Sequence, residues 1–259
     1  MTTTDRAHAP THVSVGAVVS LVYAVLAYVG FTAVFLYGVA FLADAFVART
    51  VNHGGPHAPP PVAVLVDALL LGVFAVQHSV MARPGFKARW TRLVPRHVER
   101  ATYVLASTLA MGLAFWQWRP IPSVVWDVDV APVRVLLWAL YAAGWLWVLA
   151  MSFAIDHADM FGLRQVARHL RGLAERSPAF AIPFPYRLCR HPMMIGFLVA
   201  FFATPTMTVG HLLFAGLGAA YILVGVRLEE RDLVATLPEY AGYAATTPRL
   251  MPRVPRSDR

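Results

Sequence analysis

The chain has 259 residues, of which 58% are hydrophobic and only 14% are charged. Soluble proteins are roughly 45–50% apolar and about 25% charged, so a single aqueous core could not bury this much apolar surface and lipid must be the solvent. The net charge of +8 comes from 22 basic against 14 acidic residues, a balance that by itself would also suit a nucleic-acid-binding protein. The single cysteine, Cys189, excludes an intramolecular disulfide and a CxxC site.

Long apolar runs predict several membrane crossings. A spanning helix needs about 20 apolar residues, and four runs satisfy this requirement, at 15–47, 62–81, 101–118 and 133–155. The first run far exceeds the apolar core of a signal peptide, so we expect it to stay in the mature protein.

A fifth apolar stretch, residues 193–226, is interrupted at 203–206 by Ala-Thr-Pro-Thr. Proline breaks a helix because it lacks an N–H and clashes with the preceding turn. We therefore predict an all-α, polytopic membrane bundle with four long spans followed by a hairpin of two short helices.

Basic residues alternate between the predicted loops. With six crossings and the N-terminus inside, 19 of the 22 basic residues lie on the cytoplasmic side, as the positive-inside rule requires. We predict that both termini are cytoplasmic. The charge then reflects topology, and nucleic-acid binding is not expected, because the basic residues are spread over three membrane-flanking segments without a binding module.

Polar side chains inside or beside the spans are expensive in lipid and are therefore functional candidates. Gln77, His78 and Ser79 lie near the inner end of the second span. They could carry chemistry or only link helices through hydrogen bonds. Asp67, near the outer end of the same span, could sit at the interface or pair with a buried group.

A denser polar group follows the fourth span. Residues 156–165 read DHADMFGLRQ, which places His157 beside Asp156 and Asp159. The group could be a solvated helix end, or an oriented acid–base group of the kind that works near neutral pH.

Charged segments also flank the predicted hairpin. Arg190 and His191 lie just before it, and Glu229 and Glu230 lie just after it. Two antiparallel helices would bring these four residues together at one membrane edge. A guanidinium, an imidazole and paired carboxylates suit a small zwitterionic or cationic ligand, and an ordinary salt-bridge belt is the alternative.

The motif Arg-His-Pro-x-x-x-Gly at 190–196, the hairpin, the Glu-Glu pair and Tyr240-x-x-Tyr243 resemble the cofactor half of membrane methyltransferases. Examples are isoprenylcysteine carboxyl methyltransferase and the phospholipid methyltransferases. The resemblance covers about residues 183–252 and implies that S-adenosylmethionine binds between the hairpin helices and the segments after them. The lipid-modifying enzymes usually carry Tyr where this chain has Met194, which argues against a lipid or prenyl substrate.

A closer resemblance extends over nearly the whole chain, through residues 77–83, 156–165 and 203–211. These segments are similar to the bacterial methanethiol S-methyltransferase family, within the group that includes the nitrite-reductase-associated protein NnrU and nurim. One departure is Asp156, where the family often has Asn. The resemblance implies methyl transfer from S-adenosylmethionine to methanethiol, giving dimethyl sulfide, in the bacterial inner membrane with the site open to the cytoplasm.

The resemblance and the chemistry of the donor together suggest roles for the cofactor region. Arg187 or Arg190 suits the donor's carboxylate, since guanidinium makes paired charge-assisted bonds. Glu229 and Glu230 point about 100° apart on a helix, so one is expected to accept hydrogen bonds from ribose hydroxyls or the amino group and the other to fix an Arg. The full set of predicted cofactor-binding residues is Tyr186, Arg187, Arg190, His191, Pro192, Gly196, Glu229, Glu230 and Tyr243.

Methyl transfer to sulfur requires an aligned thiolate shielded from water. We predict His157 as the base, oriented by Asp159 or Asp156, with His78 as the second choice. Cys189 is interpreted as a packing residue rather than a methyl carrier. No metal site is expected, and the expected partners are a small thiol and the lipid bilayer.

We expect one domain over 1–259, with the four-span bundle at 15–155, the cofactor-binding region at 156–252 and a disordered tail at 253–259. Two other classes stay open on the residues alone. One is a non-enzymatic membrane protein of the NnrU or nurim kind. The other is a haem protein with His78, His157 or His191 as axial ligands. A methyltransferase with another small or lipid acceptor is a further alternative.

Overall fold

The computed structural model describes residues 14–174 and 180–251. The predicted tail at 253–259 lies outside the described residues. A short antiparallel ribbon pairs β1 (Val124–Asp127) with β2 (Thr206–Thr208). The helices are α1 (Val15–Leu42), α2 (Pro60–Ala82), α3 (Pro84–Trp90), α4 (Arg96–Gln117), α5 (Ala131–Ile155), α6 (His157–Met160), α7 (Leu163–Leu170), α8 (Phe184–Leu188), α9 (Pro192–Phe202), α10 (Val209–Thr236) and α11 (Pro238–Thr246).

Four helices, α1, α2, α5 and α10, are long and apolar enough to cross a membrane. They carry many exposed large hydrophobic side chains, which is the surface that a bilayer would cover. The chain is therefore a multi-pass membrane protein, and the prediction of an all-α polytopic bundle is confirmed.

The third predicted span does not belong to these four. The run at 101–118 lies in α4, which is less apolar because it begins with a charged turn and has Thr102, Thr108 and Gln117 within the run itself. The first predicted run is also too long, because α1 ends at Leu42 and the chain then reverses direction.

The predicted hairpin is correct in the position of its break and wrong in the length of its second arm. Helix α9 has 11 residues and ends at Phe202, just before the Ala-Thr-Pro-Thr interruption. Helix α10 has 28 residues and continues ten residues past the expected end at 226. It stays helical there because Pro238 is the first helix-breaking residue after Gly225.

Five long helices and the shorter α9 form a closed ring. Helices α1, α4, α2, α10, α9 and α5 pack against one another in that order. The ring closes between α5 and α1, where the Tyr141 hydroxyl donates to the carbonyl of Val39 at 2.5 Å and the rings of Phe35 and Trp145 meet at 5.3 Å. Helix α7 packs against α1 and α4.

An aromatic core fills the end of the ring near the C-terminus of α1. Phe41, Phe115 and Phe214 are buried there. Trp118 is 1% exposed, and its indole nitrogen donates to the carbonyl of Val51 at 3.1 Å. This end is tightly packed, and the open space within the ring lies at the other end.

Asp67 in α2 is fully buried at the packed end. Its Oδ1 accepts a hydrogen bond from the backbone N–H of Arg119 at 2.9 Å. Of the two alternatives left open by the sequence, the structure therefore shows the buried one, in which Asp67 joins α2 to the segment after α4.

Candidate active site

A cavity of about 1600 Å³ lies inside the open end of the ring. All six ring helices contribute to its wall, together with α3, α6, α7, α8 and α11. Residues predicted for catalysis and residues predicted for the cofactor face this one space. Those that line it are His78, Asp156, His157, Asp159, Tyr186, Arg190, His191, Glu229 and Tyr243.

Glu230 is the centre of a buried ionic cluster beside the cavity. Its side chain is 8% exposed, and Oε1 lies 3.0 Å from Nε2 of His191 and 3.2 Å from Nε of Arg190. Oε2 accepts two hydrogen bonds from Arg249, at 2.9 Å from Nε and 2.6 Å from Nη2. These bonds raise the pKa of the Arg249 guanidinium above its usual value.

Backbone hydrogen bonds attach the C-terminal segment to the start of α9. The N–H of Arg190 donates to Pro248 at 2.9 Å, and the N–H of His191 donates to Arg249 at 3.1 Å. Sequence reasoning missed Arg249 altogether, because one Arg in a segment rich in Arg and Pro carries no local signal of an ion pair 19 residues away.

The two adjacent glutamates have different environments. Glu230 is enclosed by cationic partners, whereas the side chain of Glu229 is 51% exposed and lines the cavity. The nearest ion-pair contact of Glu229 is Nδ1 of His191 at 3.9 Å. Glu230 therefore fixes arginines, and Glu229 leaves its carboxylate available to a ligand.

Aromatic rings form another part of the wall. Tyr240 and Tyr243 in α11 contact each other with ring centroids 5.6 Å apart, and Phe180 packs edge-on against both. The Tyr243 hydroxyl donates to the carbonyl of Tyr186 at 2.5 Å. The Tyr240 hydroxyl is buried and has no hydrogen-bond partner among the described residues, and burial raises its pKa to about 12, so it is neutral at physiological pH.

Four predicted cofactor residues lie outside the cavity wall, namely Glu230, whose ion pairs are given above, and Pro192, Gly196 and Arg187. Pro192 begins α9, and its carbonyl accepts a hydrogen bond from the indole of Trp147 at 2.8 Å. Gly196 touches Gly144 at the contact between α9 and α5. The Arg187 side chain donates to the carbonyl of Ile182 at 3.4 Å. Pro192, Gly196 and Arg187 therefore make structural contacts beside the cavity.

His157 is held by hydroxyl groups within an aromatic cage. Its Nδ1 lies 2.8 Å from the Ser152 hydroxyl and its Nε2 lies 2.9 Å from the Tyr28 hydroxyl. The imidazole stacks on Phe153 at 4.2 Å and contacts Phe161 at 4.7 Å between centroids. Burial lowers its pKa below the usual value, which favours the neutral form of the ring.

The expectation that a carboxylate orients His157 is corrected by the structure. Asp156 accepts the backbone N–H of Asp159 at 3.0 Å and binds Arg164 at 2.8 Å. Asp159 accepts from the amide of Gln165 at 3.0 Å. Both carboxylates therefore stabilise the turn from α6 into α7. The hydroxyl groups of Ser152 and Tyr28 hold the His157 imidazole instead.

His78 also lines the cavity and, like His157, lies between one serine hydroxyl and one tyrosine hydroxyl. Its Nδ1 lies 3.0 Å from the Ser107 hydroxyl, and its Nε2 lies 2.7 Å from the Tyr103 hydroxyl. The guanidinium of Arg100 sits over the Tyr103 ring, 5.1 Å from its centroid.

Cys189 is 1% exposed, and burial raises the pKa of its thiol. A buried, protonated thiol is a poor nucleophile. This environment agrees with the prediction that Cys189 is a packing residue.

Comparison with known proteins shows the family. The chain is 49% identical to methanethiol S-methyltransferase of Mycobacterium tuberculosis over 90% of its own length and 96% of that protein. It is 45% identical to methanethiol S-methyltransferase 2 of Bradyrhizobium diazoefficiens over 90% of both chains. The chain belongs to the methanethiol S-methyltransferase family.

This membership confirms the resemblance seen in the sequence motifs and identifies the protein as a transferase. Nurim of Mus musculus is a more distant relative, 32% identical over 64% of this chain and 66% of nurim. No protein-family model matches the chain. No solved structure matches it either.

Proposed function

We propose that this protein transfers the methyl group of S-adenosylmethionine to the sulfur of methanethiol, yielding dimethyl sulfide. The observation that carries the proposal is one shared cavity, whose wall holds Arg190, Glu229 and both histidine groups. The names of the relatives support the same reaction.

The cavity offers polar groups that suit the methyl donor. The Glu229 carboxylate is free for an amino group or ribose hydroxyls, and the unpartnered Tyr240 hydroxyl is free for a further hydrogen bond. The Nε of Arg190 is buried without a well-aligned acceptor, although its guanidinium borders the cavity. When bound, S-adenosylmethionine supplies an electrophilic methyl group on a sulfonium.

The histidine end of the cavity suits a small apolar nucleophile. Phe161, Phe31 and Phe35 are in successive ring contact and all line the wall. Apolar walls exclude water from the nucleophile, which raises the reactivity of a thiolate. Methanethiol is small and apolar, so we infer that it enters laterally from the lipid.

We expect membranes that contain the protein to form labelled dimethyl sulfide from methyl-labelled S-adenosylmethionine and methanethiol. Replacing Glu229 by Gln should raise the KM for S-adenosylmethionine about 10-fold or more, because a hydrogen bond to a charged group contributes roughly 1.5–3 kcal/mol.

Glu239→Gln is the matched control, since Glu239 is exposed and lies outside the cavity wall. Dimethyl sulfide no higher than in membranes without the protein would overturn the proposal. Absence of S-adenosylmethionine binding in calorimetry would favour a non-enzymatic membrane protein.

We infer that the protein lies in the inner membrane of a bacterial cell and that its cavity opens to the cytoplasm. A cytosolic methyl donor must reach the cavity, and the basic loops surround it. Exposed Arg171 and Asp129 lie on loops of opposite predicted sides. In a Cys189→Ser background, a membrane-impermeant maleimide added to intact spheroplasts should label Asp129→Cys and spare Arg171→Cys. The reverse pattern would overturn the orientation.

A further inference from the structure

Two matching hydrogen-bonded chains line the cavity, each made of a tyrosine, a histidine and a serine. Tyr28, His157 and Ser152 form one, and Tyr103, His78 and Ser107 form the other. All six side chains reach the cavity wall. They come from five different helices, α1, α2, α4, α5 and α6, so no sequence motif contains either chain.

The serines determine which imidazole nitrogen carries the proton in each chain. The Ser152 hydroxyl donates to the carbonyl of Leu149 at 2.7 Å, and the Ser107 hydroxyl donates to the carbonyl of Tyr103 at 2.9 Å. A hydroxyl has one proton, so each serine can only accept from Nδ1–H of its histidine. Each neutral imidazole then presents the lone pair of Nε2, which accepts the tyrosine O–H.

This arrangement leaves the tyrosine oxygen as the group that is available to accept a hydrogen bond from a ligand in the cavity. In the Tyr28 chain the O–H is directed at Nε2 of His157, and the oxygen makes no other hydrogen bond in the described ranges. Its remaining lone pairs are free to accept a proton from the cavity side.

We propose that Tyr28 is a catalytic residue that receives the thiol proton and passes its own proton to His157, with Ser152 as the positioning residue. The inference rests on the proposed function. It replaces direct contact between the base and the thiol with a two-step relay.

The step balances in protons and electrons. The S–H bond of the thiol breaks with its electron pair left on sulfur, the proton binds the Tyr28 oxygen, and the Tyr28 proton moves to Nε2. The thiolate pair then forms the new S–CH₃ bond as the sulfonium S–CH₃ bond breaks, and that pair returns to the donor sulfur. The imidazolium of His157 later releases one proton to solvent.

Charge distinguishes the two chains. Around His157 lie Asp156, whose charge is balanced by Arg164, and Asp159, which is held by the neutral amide of Gln165. Arg100 is the other nearby cation, donating to the carbonyl of Met160 at 2.8 Å.

The Tyr103 chain has that same Arg100 guanidinium directly over its tyrosine ring. A cation beside the chain disfavours an imidazolium at His78. Among the described residues no guanidinium lies over the Tyr28 ring, so the Tyr28 chain is the one suited to take up a proton.

The test compares two methyl acceptors of different acidity. Methanethiol must lose a proton, whereas methaneselenol is already anionic at pH 7 and needs no base. Tyr28→Phe should lower kcat for methanethiol about 100-fold and leave the rate for methaneselenolate within about 3-fold, as expected on removal of a general base. The rate of this variant with methanethiol should recover as pH rises toward the pKa of the free thiol.

Tyr23→Phe is the matched control, because Tyr23 lies on the same helix and its hydroxyl donates to Thr102 outside the cavity wall. Calorimetric binding of S-adenosylmethionine should be the same in both variants. Ser152→Ala provides a second variant and should slow only the methanethiol reaction, by about 10-fold.

Equal loss with both acceptors, or wild-type rates with methanethiol in Tyr28→Phe, would overturn the relay while leaving the proposed function intact. Failure of the wild-type protein to methylate either acceptor would overturn both.

Discussion

Replacing Glu230 by Gln is expected to lower the thermal stability of the protein and to abolish S-adenosylmethionine binding. Glu230 is the shared anionic partner of Arg190, His191 and Arg249. Removing one partner of a buried ion pair costs about 3–5 kcal/mol, because the remaining charge stays buried without compensation. The loss should also release residues 248–249 from the start of α9, which borders the cavity.

Glu229→Gln is the comparison that isolates this effect. The two residues are adjacent on α10, but Glu229 is half exposed and Glu230 is buried. Thermal unfolding in detergent should show a melting temperature close to wild type for Glu229→Gln and a reduced one for Glu230→Gln. Equal melting temperatures for the two variants would contradict the structural role of Glu230.

Replacing Gly144 by Ala is expected to separate α5 from α9 and reduce both stability and S-adenosylmethionine binding. A Cβ at position 144 would lie 2.8 Å from the carbonyl oxygen of Gly196 and 2.9 Å from the backbone nitrogen of Ala200. Backbone atoms cannot move aside as a flexible side chain can. Such overpacking costs typically 1–3 kcal/mol, and it would shift α9, which follows directly after His191.

Gly216→Ala in α10 is the matched control, since a Cβ there meets no atom within 4 Å. Thermal unfolding and calorimetric binding should be unchanged or slightly improved in this variant. If Gly144→Ala behaves like Gly216→Ala, the close contact between α5 and α9 is not important for the site.

Hydropathy predicted much of the helical architecture because each spanning helix satisfies its backbone hydrogen bonds within itself. The break at 203–206 was predicted from Pro205, and the structure ends α9 at Phe202. The length of α10 was not predicted, because six of its last ten residues are polar and the segment is held by packing and by ion pairs such as Arg83 with Asp232 at 2.8 Å.

The approach of His191 to Glu230 follows from an antiparallel hairpin, and their side chains lie 3.0 Å apart across 39 residues of sequence. The partners of His157 could not be predicted in the same way. Tyr28 is 129 residues from it along the chain, and the nearby carboxylates of Asp156 and Asp159 gave the more obvious but incorrect pairing.

The sequence by itself determined that lipid is the solvent, that the fold is helical, and which residue types are available for methyl transfer. Only the tertiary structure decided that Glu229 faces the cavity while Glu230 binds arginines, and that hydroxyl groups orient His157. The physical reason is that helical periodicity sets the angle between neighbouring side chains. The rotation of each helix about its own axis depends on packing against the other helices in the ring.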